Sequence, residues 1–446
     1  MNTQLMAGIP FLLLIVGALA TRRIIEPAVI SSVAAVAMLA GADFMTVYIE
    51  KMYQVLTDES FQLLVIVGTG FAGMSALLEK SGATLGFRRI LEKFCKTRAA
   101  ALFCTWLLGA VIFIDDYLNA LAVSESMKGI SDKMRIPREH LAYTVNCMGA
   151  CVCVLLPVSS WAAFAVSCAA GHGMGMKEYL AAVPLMFYPI YAIIISLLLT
   201  AGKLPKLGTL KKAYDRAECG GPLLENSVKM SKDAKEPVKA ASPRHFLLPM
   251  AALIMGMLAF GQNIIAGMLT GLSVMAVMLL LEKRMKLNDI LDTFTAGAST
   301  IMPLLITMYV TFIMEAAVEE MGFMTYLTGL ISRTFPAWSI PLIAFVSVAS
   351  ITFFAASFWS LIVIAFPIFL PMAVRMGVNP SLVIAAIMSG VALGSQACLY
   401  SDAIFMVAAG TDVPNDTQFK TALPYVLIGA AAAAVTYGAA GLWMQW

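Results

Sequence analysis

The sequence predicts an all-α polytopic membrane protein organised as an inverted repeat, and three observations carry the prediction. Hydrophobic residues make up 60% of the 446 and charged residues only 13%, with a mean hydropathy of +0.84, which excludes an ordinary soluble domain. Basic residues gather in a few loops. Two uncharged stretches do not fit the length of a single crossing, and each is followed by an apolar run with a polar interruption.

The chain begins MNTQLMAGIPFLLLIVGALATRR, with its arginines after the apolar run. That order is the reverse of a cleavable signal and predicts a retained first helix starting outside. Apolar runs then mark spans at 4–20, 25–40, 61–78, 139–170, 179–201, 246–262, 264–282, 291–316, 381–409 and 422–443. Lys and Arg cluster at 22–23, 80–98, 128–138, 203–244 and 283–286, with Lys420 alone, accounting for 26 of the 30. The positive-inside rule puts these on the cytoplasmic side of a multi-pass protein in the cytoplasmic (inner) membrane.

With both flanks cytoplasmic, residues 99–127 must enter and return on one side as a re-entrant hairpin. Ala99 to Ile114 carries no charge and is followed at once by Asp115 and Asp116. Each arm reaches only about 16–24 Å, so the tip at 115–119 stops within the bilayer. Between Arg333 and Arg375, 41 uncharged residues would make a helix of about 60 Å, twice the hydrocarbon core. A second hairpin, 339–374, therefore folds back from outside, its tip near FFAASFWSL. Each hairpin precedes a broken helix, 139–170 interrupted at PVSSW and 381–409 interrupted at GSQACLYSD. Five spans plus one hairpin thus recur, in 1–201 and 246–446, joined by a cytoplasmic basic linker at 202–245. A shift of 241 residues superposes them, pairing Glu79 with Glu320, Phe113 with Phe354, Gly149 with Gly390 and Ser160 with Ser401. Stretches 41–60, 82–96 and 317–332 read as scaffold connectors.

Hairpin tips and helix breaks meeting near the midplane suit a transporter site. A carboxylate at that depth costs about 2.5–3.5 kcal/mol on insertion scales, so a pair implies compensation by water, a cation or a proton. Asp115, Asp116, Asn119, Ser159, Ser160, Ser401 and Asp402 offer hard oxygen ligands, with Asp115, Asp116, Asn119 and Asp402 the expected Na+ set. Repulsion between adjacent carboxylates raises one pKa and lets H+ compete with the metal ion. The plainer alternative has one aspartate cap a half-helix while the other pairs with a hairpin arm. Pro157 opens the first interruption, and Ser357, Trp359 and Ser360 mark the second tip. Trp359 and Tyr400 are candidate walls for an organic substrate, or packing aromatics. His140, His172 and His245 fall at span ends or loops, and no catalytic constellation is expected. The eight cysteines read as small hydrophobes. No cofactor beyond transported Na+ and H+ is expected, and a net charge of +3 argues for no nucleic-acid partner.

FIDDYLN at 113–119, DKMRIPREHLAY at 132–143, PVSSWAAF at 157–164, SGVALGSQACLYSD at 389–402 and LPYVL at 423–427 resemble the NhaC family of sodium/proton antiporters. The resemblance implies a homodimer of the ion transporter superfamily, each protomer with a scaffold and an elevator-type transport domain. It also implies that Asp115, Asp116 and Asn119 are hairpin-tip ligands, with Ser159, Ser160, Ser401 and Asp402 ligands at the two breaks. The family's GDHCSP appears here as GSQACL, so Ser395 and Gln396 stand where an acid and a histidine are usual. The Gly-Thr-Ser-Trp of the second tip appears as AASFWS. The expected function is Na+/H+ antiport by alternating access. The alternative is Na+- or H+-coupled transport or exchange of a small organic acid or amino acid, with Ser395 and Gln396 in its site. A passive channel is disfavoured by the paired hairpins.

Overall fold

The computed structural model describes residues 6–21, 25–83, 94–114, 116–224, 241–261, 263–322, 326, 334–355, 358–398 and 401–444. Among them the chain is helical throughout. The first part runs α1 (Ile9–Thr21), α2 (Ile25–Ala40), α3 (Phe44–Leu56), α4 (Glu59–Lys80), α5 (Arg98–Val111), α6 (Asp116–Lys133), α7 (Arg138–Leu155), α8 (Ser160–Ala170), α9 (Met176–Ala182) and α10 (Phe187–Thr200). A linker helix, α11 (Gly208–Glu218), follows. The second part runs α12 (Arg244–Ala259), α13 (Ile264–Leu281), α14 (Leu287–Ser299), α15 (Met302–Glu320), α16 (Ile340–Ala355), α17 (Phe358–Arg375), α18 (Pro380–Ala397), α19 (Asp402–Thr411) and α20 (Asn415–Trp443).

Local chemistry explains many of these boundaries. Thr97 opens α5 by accepting from Ala100 N at 3.1 Å, and Asn379 opens α18 ahead of Pro380, which needs no amide partner. The run 291–316 does not form one span. Ser299 and Thr300 turn their hydroxyls onto Ala296 O and Gly297 O, each 2.7 Å, and α15 restarts with Pro303 in its first turn. The run 179–201 is bent by 48° between residues 176–185 and 187–200. The first hairpin occupies Arg98–Lys133 rather than 99–127, and residues 112–114 lie in its turn. Asp116 therefore starts the second arm, and Asn119 sits inside that arm's first turn.

The repeat is plainest in four consecutive helices. α5 and α16, α6 and α17, α7 and α18, and α8 and α19 each begin 242 residues apart, and α7 and α18 each contain 18 residues. The offset is thus one more than sparse identities indicate, because helix ends and caps set the register and chance identities do not. Ser159 pairs with Ser401, Ser160 with Asp402, and Asp116 with Phe358.

Each hairpin packs on its broken helix, α5 and α6 on α7, and α16 and α17 on α18. Cross-contacts join the halves: α6 runs along α19, α8 touches α17, and α7 touches α18. The α18 segment is long and apolar enough to cross a bilayer, yet 89% of its window is buried by protein, against 28% for α20. The broken helices form the centre, and α13 and α20 present apolar side chains such as Leu269, Val277, Leu427 and Val435 outward.

Candidate functional site

The first hairpin turns because Ile112 leaves the helix at φ −90°, ψ 71°. Asn119 secures the turn by donating both amide hydrogens, to Gly109 O at 2.7 Å and Ile112 O at 2.6 Å. That commitment fixes the amide's orientation, so Oδ1 must face away from the turn. Asn119 Oδ1 is buried, has no hydrogen-bond partner among the described residues, and lies 3.8 Å from where a Cβ on Gly149 of α7 would stand. The backbone oxygen of Asp116 is 3.6 Å from the same point. Asp116 is itself buried in the first turn of α6, where the helix dipole favours a negative charge. Asp115 lies outside the described residues.

Two breaks complete the centre, and they are built alike. Each leaves a last helical turn whose carbonyls have lost their helical partners. At the first, Leu156 N bonds Val152 O at 3.1 Å, Ser159 Oγ bonds Cys153 O, and Tyr179 OH bonds Val154 O at 2.6 Å. At the second, Cys398 N bonds Gly394 O at 2.9 Å, Ser401 Oγ bonds Ser395 O at 3.4 Å, and Asn146 Nδ2 bonds Gln396 O at 3.0 Å. Protein donors therefore already serve three carbonyls at each break. Oxygen ligands for an ion have to come chiefly from side chains.

The serines are correspondingly occupied. Ser159 also caps α8 by accepting from Ala162 N at 3.0 Å, while Ser160 N donates to Ile114 O at 2.8 Å and ties the first break to the hairpin turn. Pro157 sits half-buried within the break, between two residues that bond backbone carbonyls. Gln396 is held by α10 and α7, its Oε1 accepting from Tyr188 OH at 2.7 Å and from Cys151 Sγ at 3.8 Å. The hydroxyl of Ser395 is buried with no hydrogen-bond partner among the described residues.

At the second hairpin tip, Ser357 lies outside the described residues, as do Tyr400 and the side chains of Trp359, Ser360 and Asp402. Phe358 opens α17 and stacks on Trp161 of α8, ring centroids 4.8 Å apart and 14° from parallel. Asp402 opens α19. A Cβ on Gly410 would meet Ser124 of α6, and Asp412 pairs with Lys128 two residues further along. α19 therefore runs parallel to α6, and its N-terminus comes beside the Asp116 end. The starts of α6, α8, α17 and α19 converge, and acids occupy two of them.

Asn146 escapes a reading of the sequence. It stands in TVNCMGAC, a run of small and apolar residues, and its link to Gln396 O joins positions 250 residues apart. Among the described residues no three His, Cys, Asp or Glu side chains gather as a metal cluster.

Residues 152–442 match the Na+/H+ antiporter family. An uncharacterized protein of Haemophilus influenzae is 23% identical over 484 residues, covering 96% of this chain and 89% of that protein. Two solved structures are similar in fold. The YdaH transporter of Alcanivorax borkumensis has a TM-score of 0.65 at 15% identity, covering 90% of each chain. MtrF of Neisseria gonorrhoeae has a TM-score of 0.58 at 13% identity, covering 89% of this chain and 83% of its own. A multi-pass helical fold with paired hairpins and breaks, an acid buried at their junction and the family match over most of the chain lead to one conclusion: the protein is a secondary transporter belonging to the Na+/H+ antiporter family.

Proposed function

We propose that this transporter exchanges Na+ for H+ by alternating access, with Asp116 as the carboxylate that takes either ion. One observation carries the reading: Asp116 is buried at the start of α6, one turn before Asn119 Oδ1, where the first hairpin meets both broken helices. A deprotonated carboxylate with amide oxygens suits Na+, and protonation neutralises it and expels the metal ion. Competition for one site is sufficient for exchange. Asp115 and Asp402 complete the acid set, and the positive-inside charge pattern supports an inner-membrane protein with its N-terminus outside and 202–245 in the cytoplasm. Family resemblance supports an elevator-type homodimer.

The test is proteoliposomes loaded with a pH-sensitive dye. Na+ is expected to drive proton movement, and its absence at every pH from about 6 to 9 overturns the reading. The Trp161–Phe358 stack favours a second reading, cation-coupled movement of an organic solute against that apolar wall. MtrF is described as one of a class of antimetabolite efflux pumps. Thermal stabilisation by an organic acid or amino acid beyond that given by Na+ would select this alternative.

A further inference from the structure

We infer that Asn146 is a ligand of the transported cation and couples the occupied site to the second broken helix. The inference rests on the Na+/H+ reading above and deepens it. Asn146 Nδ2 donates to Gln396 O, which fixes the end of the amide facing α18. Its Oδ1 is left buried, with no hydrogen-bond partner among the described residues. A buried carbonyl oxygen without a donor loses its hydration and gains nothing in return. Asn119 Oδ1 is in the same condition, with its amide orientation fixed by two carbonyls.

The two amides border neighbouring positions of α7. Asn146 and Gly149 are three apart on α7, so their Cβ positions lie about 5–6 Å from each other on one face. Asn119 Oδ1 is 3.8 Å from the Gly149 Cβ position, and Gly149 places no side chain between them. The backbone oxygen of Asp116 lies 3.6 Å from the same position, which brings the first turn of α6 to that spot, and the proposed set is the Asp116 carboxylate with two neutral amide oxygens. That composition matches a hard monovalent cation. Three carbonyls at each break already hold protein donors, and Asn146 adds a side-chain oxygen beside them. It also grips the last turn of α18 through its other end, so cation binding bears directly on how α7 and α18 sit together.

Asn146→Ala and Asn146→Asp separate a ligand from a helix bridge, measured in proteoliposomes as the Na+ KM for exchange and in detergent as the melting shift produced by Na+ over choline. Asn146→Ala is expected to raise the Na+ KM by about tenfold or more, in the range seen when support of a metal site is lost. Asn146→Asp keeps the oxygen and adds charge, so a ligand role predicts Na+ affinity retained or tightened. A bridge alone predicts the reverse, since a carboxylate facing Gln396 O is worse than no side chain. Melting without Na+ monitors folding of both variants. Three outcomes overturn the inference. If wild type responds to Na+, Asp116→Asn abolishes the response and Asn146→Ala stays within about twofold, the orphan oxygen holds only water and Na+/H+ exchange stands. An Asp variant more impaired in Na+ affinity than the Ala variant leaves Asn146 as a bridge only. If wild type shows no response to Na+ at all, the functional reading falls with it.

Discussion

The two hairpins share a backbone plan and differ in chemistry. In the register of the repeat, Asp116 at the start of α6 answers to Phe358 at the start of α17, and Asn119 to Leu361. One tip presents a carboxylate and an amide to the centre, and the other presents an aromatic ring that stacks on the first break. The lesson is that duplication supplies the frame twice while, among the described residues of the two tips, the acid and the amide stand in the first hairpin. The ends of the half-helices differ in the same way. The turn after α8 places His172 Nε2 3.6 Å from Glu315. The end of α19 places Asp412, left-handed at φ 62°, between Lys128 and Arg138, the latter at 2.7 Å.

If function resides in the first hairpin, Asp116→Asn should reduce Na+-driven exchange by about a hundredfold or more, the scale of losing an essential proton-carrying group. Phe358→Leu, at the equivalent position, should leave the Na+ KM close to wild type. Comparable losses in both variants, measured in the same vesicles, would dissolve the distinction between the tips.

Phe358→Ala tests the second hairpin's packing role. Removing a buried ring stacked on Trp161 is expected to cost about 3 kcal/mol of stability, seen as a lowered melting temperature. The Na+-induced shift should survive. A variant that melts like wild type but loses its Na+ response would move the ion site toward the second tip.

Asp412 is a smaller target. Asp412→Ala leaves Lys128 and Arg138 without their shared carboxylate and should cost about 1–2 kcal/mol at this partly buried cluster. Asp412→Asn, which tolerates the left-handed backbone, should recover about half of that. Equal destabilisation by Ala and Asn would show that charge alone matters at the end of α19.

The least effect is expected at His172. Burial holds its imidazole below the ordinary value, so the unfolded chain takes up the proton first. Stability is complete above about pH 6.5 and falls as pH drops through that value toward the folded pKa. His172→Gln should flatten this fall in melting temperature, and an unchanged slope would show that other groups set it.

Much of the architecture was legible because lipid permits few solutions. Charge-free runs of the wrong length had to turn back, and PVSSW signals a break because Pro157 lacks an amide hydrogen and Ser159 can cap the helix that restarts. The chain's own punctuation also disclosed the interruption at GSQACLYSD and the acid at the start of α6. The one-residue error in the repeat offset arose because Glu79 and Glu320 are alike in type but not in position within their helices. The side chains of Trp359 and Ser360, the marks the sequence offers at the second tip, lie outside the described residues, and their neighbour Phe358, which composition does not single out, stacks on Trp161.

By itself the sequence determined that the protein lies in a membrane, that it folds in two related halves, and that negative charge is placed where α6 begins. Those properties follow from transfer energies and helix length, which act on each segment alone. Only the tertiary structure decided which oxygens remain available. Ser159 and Ser401 are turned onto carbonyls six residues back, Gln396 is held by Tyr188, and Asn146 reaches across 250 residues to the Gln396 carbonyl in the last turn of α18. A side chain's freedom to bind an ion depends on what its neighbours have already claimed, and neighbours are assigned only when the helices pack.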